Sequence, residues 1–179
     1  MKYLLKENFT GEKACYLTEV EIKETCDSYV FTFDAKNSTF YCPYKNYNED
    51  LFVGDVCEVF IGDINDIANY YEIEVSPEGA IFLAKVYNDG GGLEESLHLT
   101  YLENNLISVK TEMKGKDYTV EIAFDKKALN IPLEKIGFNA FRIDTDGIKQ
   151  DMHLFALNPT KCDTFHKLGC FVKLKDYLK

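Results

Sequence analysis

An antiparallel β-sandwich, all-β apart from one or two short helices at most, is the fold this sequence predicts. Three observations predict it. Apolar and polar residues alternate at period two over roughly nine or ten short segments, the spacing that sends successive side chains to opposite faces of a strand. Turn chemistry rich in Gly, Pro, Asn and Asp separates those segments. The chain holds 12 Tyr and 13 Phe in 179 residues with no Trp, and such aromatic enrichment suits pleated, half-buried surfaces. The length fits a single domain over 1–179, which buries about two-thirds of its unfolded surface.

Residues 1–16 read as irregular, at most an edge segment. Leu17–Thr25 sets Val20 and Ile22 against charged neighbours, and Ser28–Ala35 sets Tyr29, Phe31 and Phe33 against Val30, Thr32 and Asp34. Cys26-Asp27 lies between them, so a hairpin is the natural reading. Lys36–Asp50 is a polar loop rich in Tyr and Asn, longer than compact domains usually spend on a connection without function.

Asp55–Gly79 is the stretch around which the rest is organised. In its first strand Cys57, Val59 and Ile61 alternate with Val56, Glu58 and Phe60. In its second, Tyr71, Ile73 and Val75 alternate with Tyr70, Glu72 and Glu74. The face carrying Glu72 and Glu74 is read either as solvated or as part of a polar binding site. Ser76-Pro77-Glu78-Gly79 supplies the next turn. Further strands are expected at Ala80–Tyr87, Leu97–Leu102, Leu106–Met113, Asp117–Phe124, Gly137–Asp144, His153–Leu157 and Cys170–Leu174. Asp125–Leu129 is the one helix candidate, with Asp125 as N-cap and Pro132 beyond its end.

Thirty acidic and 20 basic residues give a net charge of −10. That balance lacks the basic footprint of a nucleic-acid binder and disfavours an anionic membrane surface. No stretch approaches the roughly 20 apolar residues of a membrane span, and the N-terminus shows no signal-peptide core, so a cytoplasmic location is expected. The six Cys lack CxxC spacing and are expected to be free thiols.

No catalytic motif is present: the chain has no nucleophile elbow, phosphate loop or HExxH, and Gly90-Gly91-Gly92 lacks the strand–loop–helix setting of a dinucleotide site. Asp144-Thr145-Asp146-Gly147 with Asp151 has part of the carboxylate spacing of a calcium loop but lacks its closing bidentate Glu, so a surface turn is the stronger reading. Asp63, Asn65 and Asp66 are read the same way. His153 and His166 flank Asn158-Pro159 and could meet there, while His98 reads as structural. Arg142 is the only Arg. Mid-strand and beside Asp144, it is either a surface ion pair or a planar fork of donors for a ligand's oxygens.

The runs DVCEVFIG, YYEIEVSPEG, GKDYTVEIAFDKKAL, GFNAFRID, LNPT and FH occur in an order that resembles the carbohydrate-binding module family 9-like domains, which belong to the wider DOMON-like sandwiches. The likeness covers about residues 17–175. It implies a sandwich without catalytic activity and without a cofactor, holding a mono- or oligosaccharide among aromatic, carboxylate, Arg and amide groups. Those roles would fall to Glu58, Arg142, Asn158 and His166. Sugar-binding members of the family stack the sugar on Trp; here Phe52 and Leu157 stand where Trp would be expected. Tyr41, Tyr44 and Tyr47 in the long loop would supply replacement stacking surface. Arg142 and Glu58 are placed on the same polar face. Two other readings stay open: a haem or electron-transfer module with axial ligands drawn from Met113, Met152 and the His residues, and an interaction scaffold with a decayed pocket.

Overall fold

The computed structural model describes residues 1–36, 39, 41–90, 96–145 and 152–178. Its strands are β1 (Lys2–Leu4), β2 (Lys6–Glu7), β3 (Thr18–Glu24), β4 (Ser28–Ala35), β5 (Val56–Asp63), β6 (Asn69–Val75), β7 (Ile81–Asn88), β8 (Leu97–Tyr101), β9 (Ile107–Lys114), β10 (Asp117–Asp125), β11 (Ile136–Asp144), β12 (His153–Ala156) and β13 (Val172–Lys173). They form a five-stranded sheet in the order β1-β3-β4-β10-β9 and an eight-stranded sheet in the order β2-β12-β11-β5-β6-β7-β8, with β13 also on β11. Every strand pairing is antiparallel. The predicted sandwich is what forms.

The N-terminus, expected to be irregular or an edge segment, contributes the edge strands β1 and β2, one to each sheet. Among the described residues the only α-helix is α1 (Lys126–Leu129), which Asp125 caps by accepting a hydrogen bond from the Lys127 amide. No helix of the described residues is long and apolar enough to cross a membrane.

The two sheets meet over a core to which β3 and β4 give Val20, Ile22, Phe31 and Phe33, and β10 gives Val120, Ile122 and Phe124. The eight-stranded sheet answers with Cys57, Val59, Ile61, Ile73, Val75, Leu83, Phe138 and Phe155. In the five-stranded sheet the alternation is clean, each buried residue of β4 and β10 being followed by a more exposed one. In the eight-stranded sheet it is not: β5 is buried from Val56 to Gly62 and β11 from end to end. A second apolar cluster therefore covers its other face, with Val56, Phe60, Tyr70, Phe82, Ala84, Val86, Phe141, Ile143 and Phe165. Two buried faces make near-continuous hydrophobic runs.

The hairpin between β6 and β7 turns at Ser76–Gly79, where Gly79 adopts φ +88° and its amide donates to the Ser76 carbonyl. None of the six cysteines is in a disulfide. Burial pushes the Cys57 thiol up to about 12, which leaves it inert.

Candidate functional site

The outer face of the eight-stranded sheet is covered on one side by the segment 158–171, and amides hold that segment down. Asn139, beside Phe141 on the outer side of β11, donates from Nδ2 to the Asn158 carbonyl (2.8 Å) and the Cys170 carbonyl (3.0 Å). Its Oδ1 accepts from the Asn158 amide. Asn158 Nδ2 donates to the same Cys170 carbonyl. Further along, Asn8 donates to Thr160 Oγ1 and the Cys162 carbonyl and accepts from the Thr160 amide. Phe165 then stacks on Phe141, with ring centroids 4.3 Å apart, and the His166 ring lies over Phe60.

Between this segment and β8 lies a cleft of about 590 Å³. Its apolar walls are Phe52, Phe82, Leu97, Leu99, Tyr101, Ile143, Met152, Leu154 and Phe165; its polar groups are Asp50, Glu58, Glu72, Glu74, Asp163, Thr164 and His166. Among the described residues no Lys or Arg lines it.

Register explains the floor. Glu58 on β5 lies directly opposite Glu74 on β6, and Glu72 opposite Phe60, so the three carboxyl groups share one sheet face. One oxygen from each falls within a group no wider than 4.8 Å. The expectation that Glu72 and Glu74 are solvated fails: Glu58, Glu72 and Glu74 keep only 2%, 4% and 3% of their surface. Side chains from the neighbouring β7, and from β8 and the segment 158–171 further along the chain, stand around them.

Burial, then the neighbouring carboxyls, raises Glu58 and Glu74 well above the usual carboxylate range. Burial also lifts Glu72 to about 8. Glu58 Oε1 and Glu74 Oε2 are shielded from water and have no hydrogen-bond partner.

His166 bridges wall and floor. Its Nδ1 is 2.7 Å from Tyr70 Oη, its Nε2 is 3.4 Å from Glu72 Oε1, and its carbonyl accepts from Asn88 Nδ2. Burial depresses the ring to about 4, so at neutral pH it is uncharged and faces a protonated Glu72. The contact with Glu72 is therefore not an ion pair, and the ring's one hydrogen bond is the one between Nδ1 and Tyr70 Oη.

Of the residues expected at the site, Phe52, Glu58 and His166 line the cleft. Phe52 remains 44% exposed. Arg142 corrects its expected placement. It pairs with Cys57, not Glu58, across β5, and so points inward, between the sheets. There Nε donates to Tyr118 Oη (2.9 Å), Nη1 to Thr18 Oγ1 and the Lys36 carbonyl (2.8 Å each), and Nη2 to Asp144 Oδ2. Its planar group also lies over the Tyr118 and Phe155 rings. Arg142 and Asp144 are fully buried, and the pair is neither on the surface nor in the cleft.

Asn158 is likewise spent on holding the segment it begins and does not line the cleft. Tyr44 and Tyr47 stand on the surface outside the cleft; Tyr47 Oη donates to the Leu102 carbonyl. Tyr41 is tied to Asp55 through its backbone, and Leu157 packs between the sheets.

His153 and His166 do not meet. His153 faces inward beside Phe155 and Tyr16, while His98 stacks on Tyr87 at the surface. Met152 lines the cleft with His166, but both His166 ring nitrogens already have partners, and Met113 is exposed on β9 in the other sheet. Asp63 turns back to bond Asn65, an ordinary surface turn. Asp144 is taken by Arg142, and Asp146, Gly147 and Asp151 lie outside the described residues.

Sequence reasoning missed Phe82, Leu99, Tyr101 and Phe165. The signal was present for two of them: Leu99 and Tyr101 lie two apart on β8, opposite Val86 and the small Ala84, and a tyrosine facing an alanine leaves open surface beside it.

No protein-family model matches the chain, and no curated protein matches it. Solved structures do. A candidate carbohydrate-binding protein from Bacteroides uniformis superposes with a TM-score of 0.77 at 12% identity, over 96% of this chain and 84% of its own. A carbohydrate-binding module of family 9 from Caldicellulosiruptor kristjanssonii, in complex with glucose, gives 0.67 at 11% identity over 99% and 84%. A family 9 module from the same organism in complex with cellotriose gives 0.61 at 10% over 88% and 72%. The chain has the fold of the family 9 carbohydrate-binding modules.

Proposed function

We propose that this protein binds a carbohydrate, without transforming it, in the cleft on the outer face of the eight-stranded sheet. The observation that carries this reading is the pairing of an aromatic wall with buried polar groups in one open cleft. A pyranose ring has apolar C–H faces and a polar hydroxyl rim. Phe52, Phe82 and Tyr101 offer ring surface for the faces, and Glu58, Glu72, Glu74 and His166 offer acceptors and donors for the rim. Fold neighbours determined with glucose and cellotriose support the same ligand class. Glu58, Glu72 and Glu74 stand side by side on one sheet face and are not opposed across a scissile bond, which favours binding over hydrolysis. Six cysteines, none in a disulfide, support a reducing, cytoplasmic setting.

A calorimetric screen of glucose, cello-oligosaccharides and a wider glycan set tests the reading. At least one sugar should bind saturably, and Phe52→Ala or Tyr101→Ala should weaken it by about tenfold, near 1.4 kcal/mol. A screen in which nothing binds, or binding that neither substitution changes, overturns it.

A further inference from the structure

We propose that Glu58, Glu72 and Glu74 form a binding site for one hard divalent cation of the calcium class at the floor of the cleft. It lies in the cleft assigned to the carbohydrate but does not require that reading. Acidic clusters are common, and by itself this one would mean little. What separates it from a solvated patch is that Glu58 Oε1 and Glu74 Oε2 are buried at the floor of a cleft with no hydrogen-bond partner. A buried carboxylate oxygen left without a partner is costly and calls for an explanation, and an ion that the oxygen would coordinate supplies one.

The dimensions fit. Calcium binds oxygen at about 2.3–2.6 Å, so oxygens around one ion lie at most about 4.6–5.2 Å apart. One oxygen from each of the three carboxyls falls within 4.8 Å of the others. The donor set is oxygen only. No thiol lines the cleft among the described residues, and the nearby imidazole of His166 is engaged by Tyr70 and Glu72, which favours a hard ion over zinc or copper. Among the described lining residues no Lys or Arg offsets the carboxyls. The three residues stand on two adjacent, hydrogen-bonded strands, so the cage is held by the sheet and not by a loop. The cleft lies open above it, leaving the ion's remaining positions to water or to a ligand's hydroxyls.

The test is calorimetry of chelator-stripped protein with calcium chloride alone, no sugar present, repeated with manganese and magnesium chlorides. One calcium ion should bind per chain. Glu58→Gln and Glu74→Gln, which keep the side chain's shape, should each weaken binding by at least about tenfold, since affinity follows ligand charge, and a thermal melt checks that both variants are folded. Absence of calcium binding by the wild type overturns the proposal. So does binding that both variants retain, which would put the ion elsewhere. So does metal-free binding of glucosamine hydrochloride that Glu74→Gln abolishes while calcium does not bind, which would make the occupant an ammonium group. Calcium binding without any sugar binding would sink the carbohydrate reading and leave this one standing.

Discussion

On the inward face of the eight-stranded sheet Arg142 is wholly buried and each of its nitrogens has a partner, drawn from β3, β10, β11 and the Lys36 carbonyl. On the outward face of the same sheet Glu58 and Glu74 are almost as inaccessible, yet each keeps an oxygen that bonds to nothing. The first arrangement is finished. Its charge is neutralised by Asp144, its donors join the two sheets, and no space remains for a ligand. The second is incomplete, because carboxyl groups crowd one another beside an open cleft. Burial alone therefore does not separate structural from functional polar groups; completeness of partnering does.

The largest effect should come from breaking the finished side. Arg142→Met removes the cation from Asp144 and the stitch from Tyr118 and Thr18, and should cost about 3–5 kcal/mol in urea denaturation. Ligand affinity of the protein that remains folded should not change. A cost below about 1 kcal/mol would mean that the inward pair is as dispensable as a surface one.

The unfinished side should show itself in pH dependence of the cation-free protein. Glu72 titrates near 8 when folded, against an ordinary 4.5. Between those values the folded state holds a proton that the unfolded chain has lost, so this contribution is complete below pH 4.5 and is lost as pH rises through 8. His166 has the opposite sign: folded near 4 against an ordinary 6.5, it adds stability as pH rises between those values. The two offset each other up to pH 6.5. From 6.5 to 8 stability should fall by about 1.4 kcal/mol per pH unit for Glu72 alone, and the raised Glu58 and Glu74 add to the fall. Glu72→Gln should flatten the slope over this window. A wild-type stability that is constant or rising from pH 6.5 to 8 would show that these carboxyls are not protonated in the folded protein.

The smallest effect concerns access. Cys57 lies on the inward face, fully buried, whereas Cys15 and Cys26 are exposed. In native protein a thiol reagent should label Cys15 and Cys26 promptly and leave Cys57 untouched until global unfolding. Native labelling of Cys57 would show that solvent entering the cleft passes through the sheet.

Most of the fold was legible because a strand's period is short and local. Tyr118, Val120, Ile122 and Phe124 declare the buried side of β10 without reference to any other segment. The site was legible in part. The alternation of β5 separates Cys57, Val59 and Ile61 from Glu58 and Phe60, and that of β11 separates Arg142 and Asp144 from Phe141 and Ile143. Which side of β11 continues which side of β5 is set by register, and a one-residue change exchanges the faces. Sequence carries no such register for strands separated by 72 residues and more between their ends. Arg142 was accordingly placed beside Glu58, when its cross-strand partner is Cys57. The sequence leaves Glu72 and Glu74 open to two readings, solvated or lining a polar site, for a related reason: the side chains that cover their face come from other segments of the chain. Asn158 had the right chemistry for a ligand, but its amide is spent on the backbone it folds against.

The hydrogen bonds of Asn8 to Thr160 join residues 152 positions apart in the chain, and β2 completes its side of the sheet only by pairing with β12. During synthesis β1 can pair with the nearby β3, but the bonds of β2 to β12 and of Asn8 to Thr160 must wait until those residues have emerged. The segment 158–171, which shapes one wall of the cleft, arrives after every strand from β1 to β12. Closure over such separations is slow and exposes strand edges meanwhile. The cleft is thus completed only after the strands that form its floor, and a nascent chain stalled before residue 158 would lack the wall that stands beside the buried carboxyls.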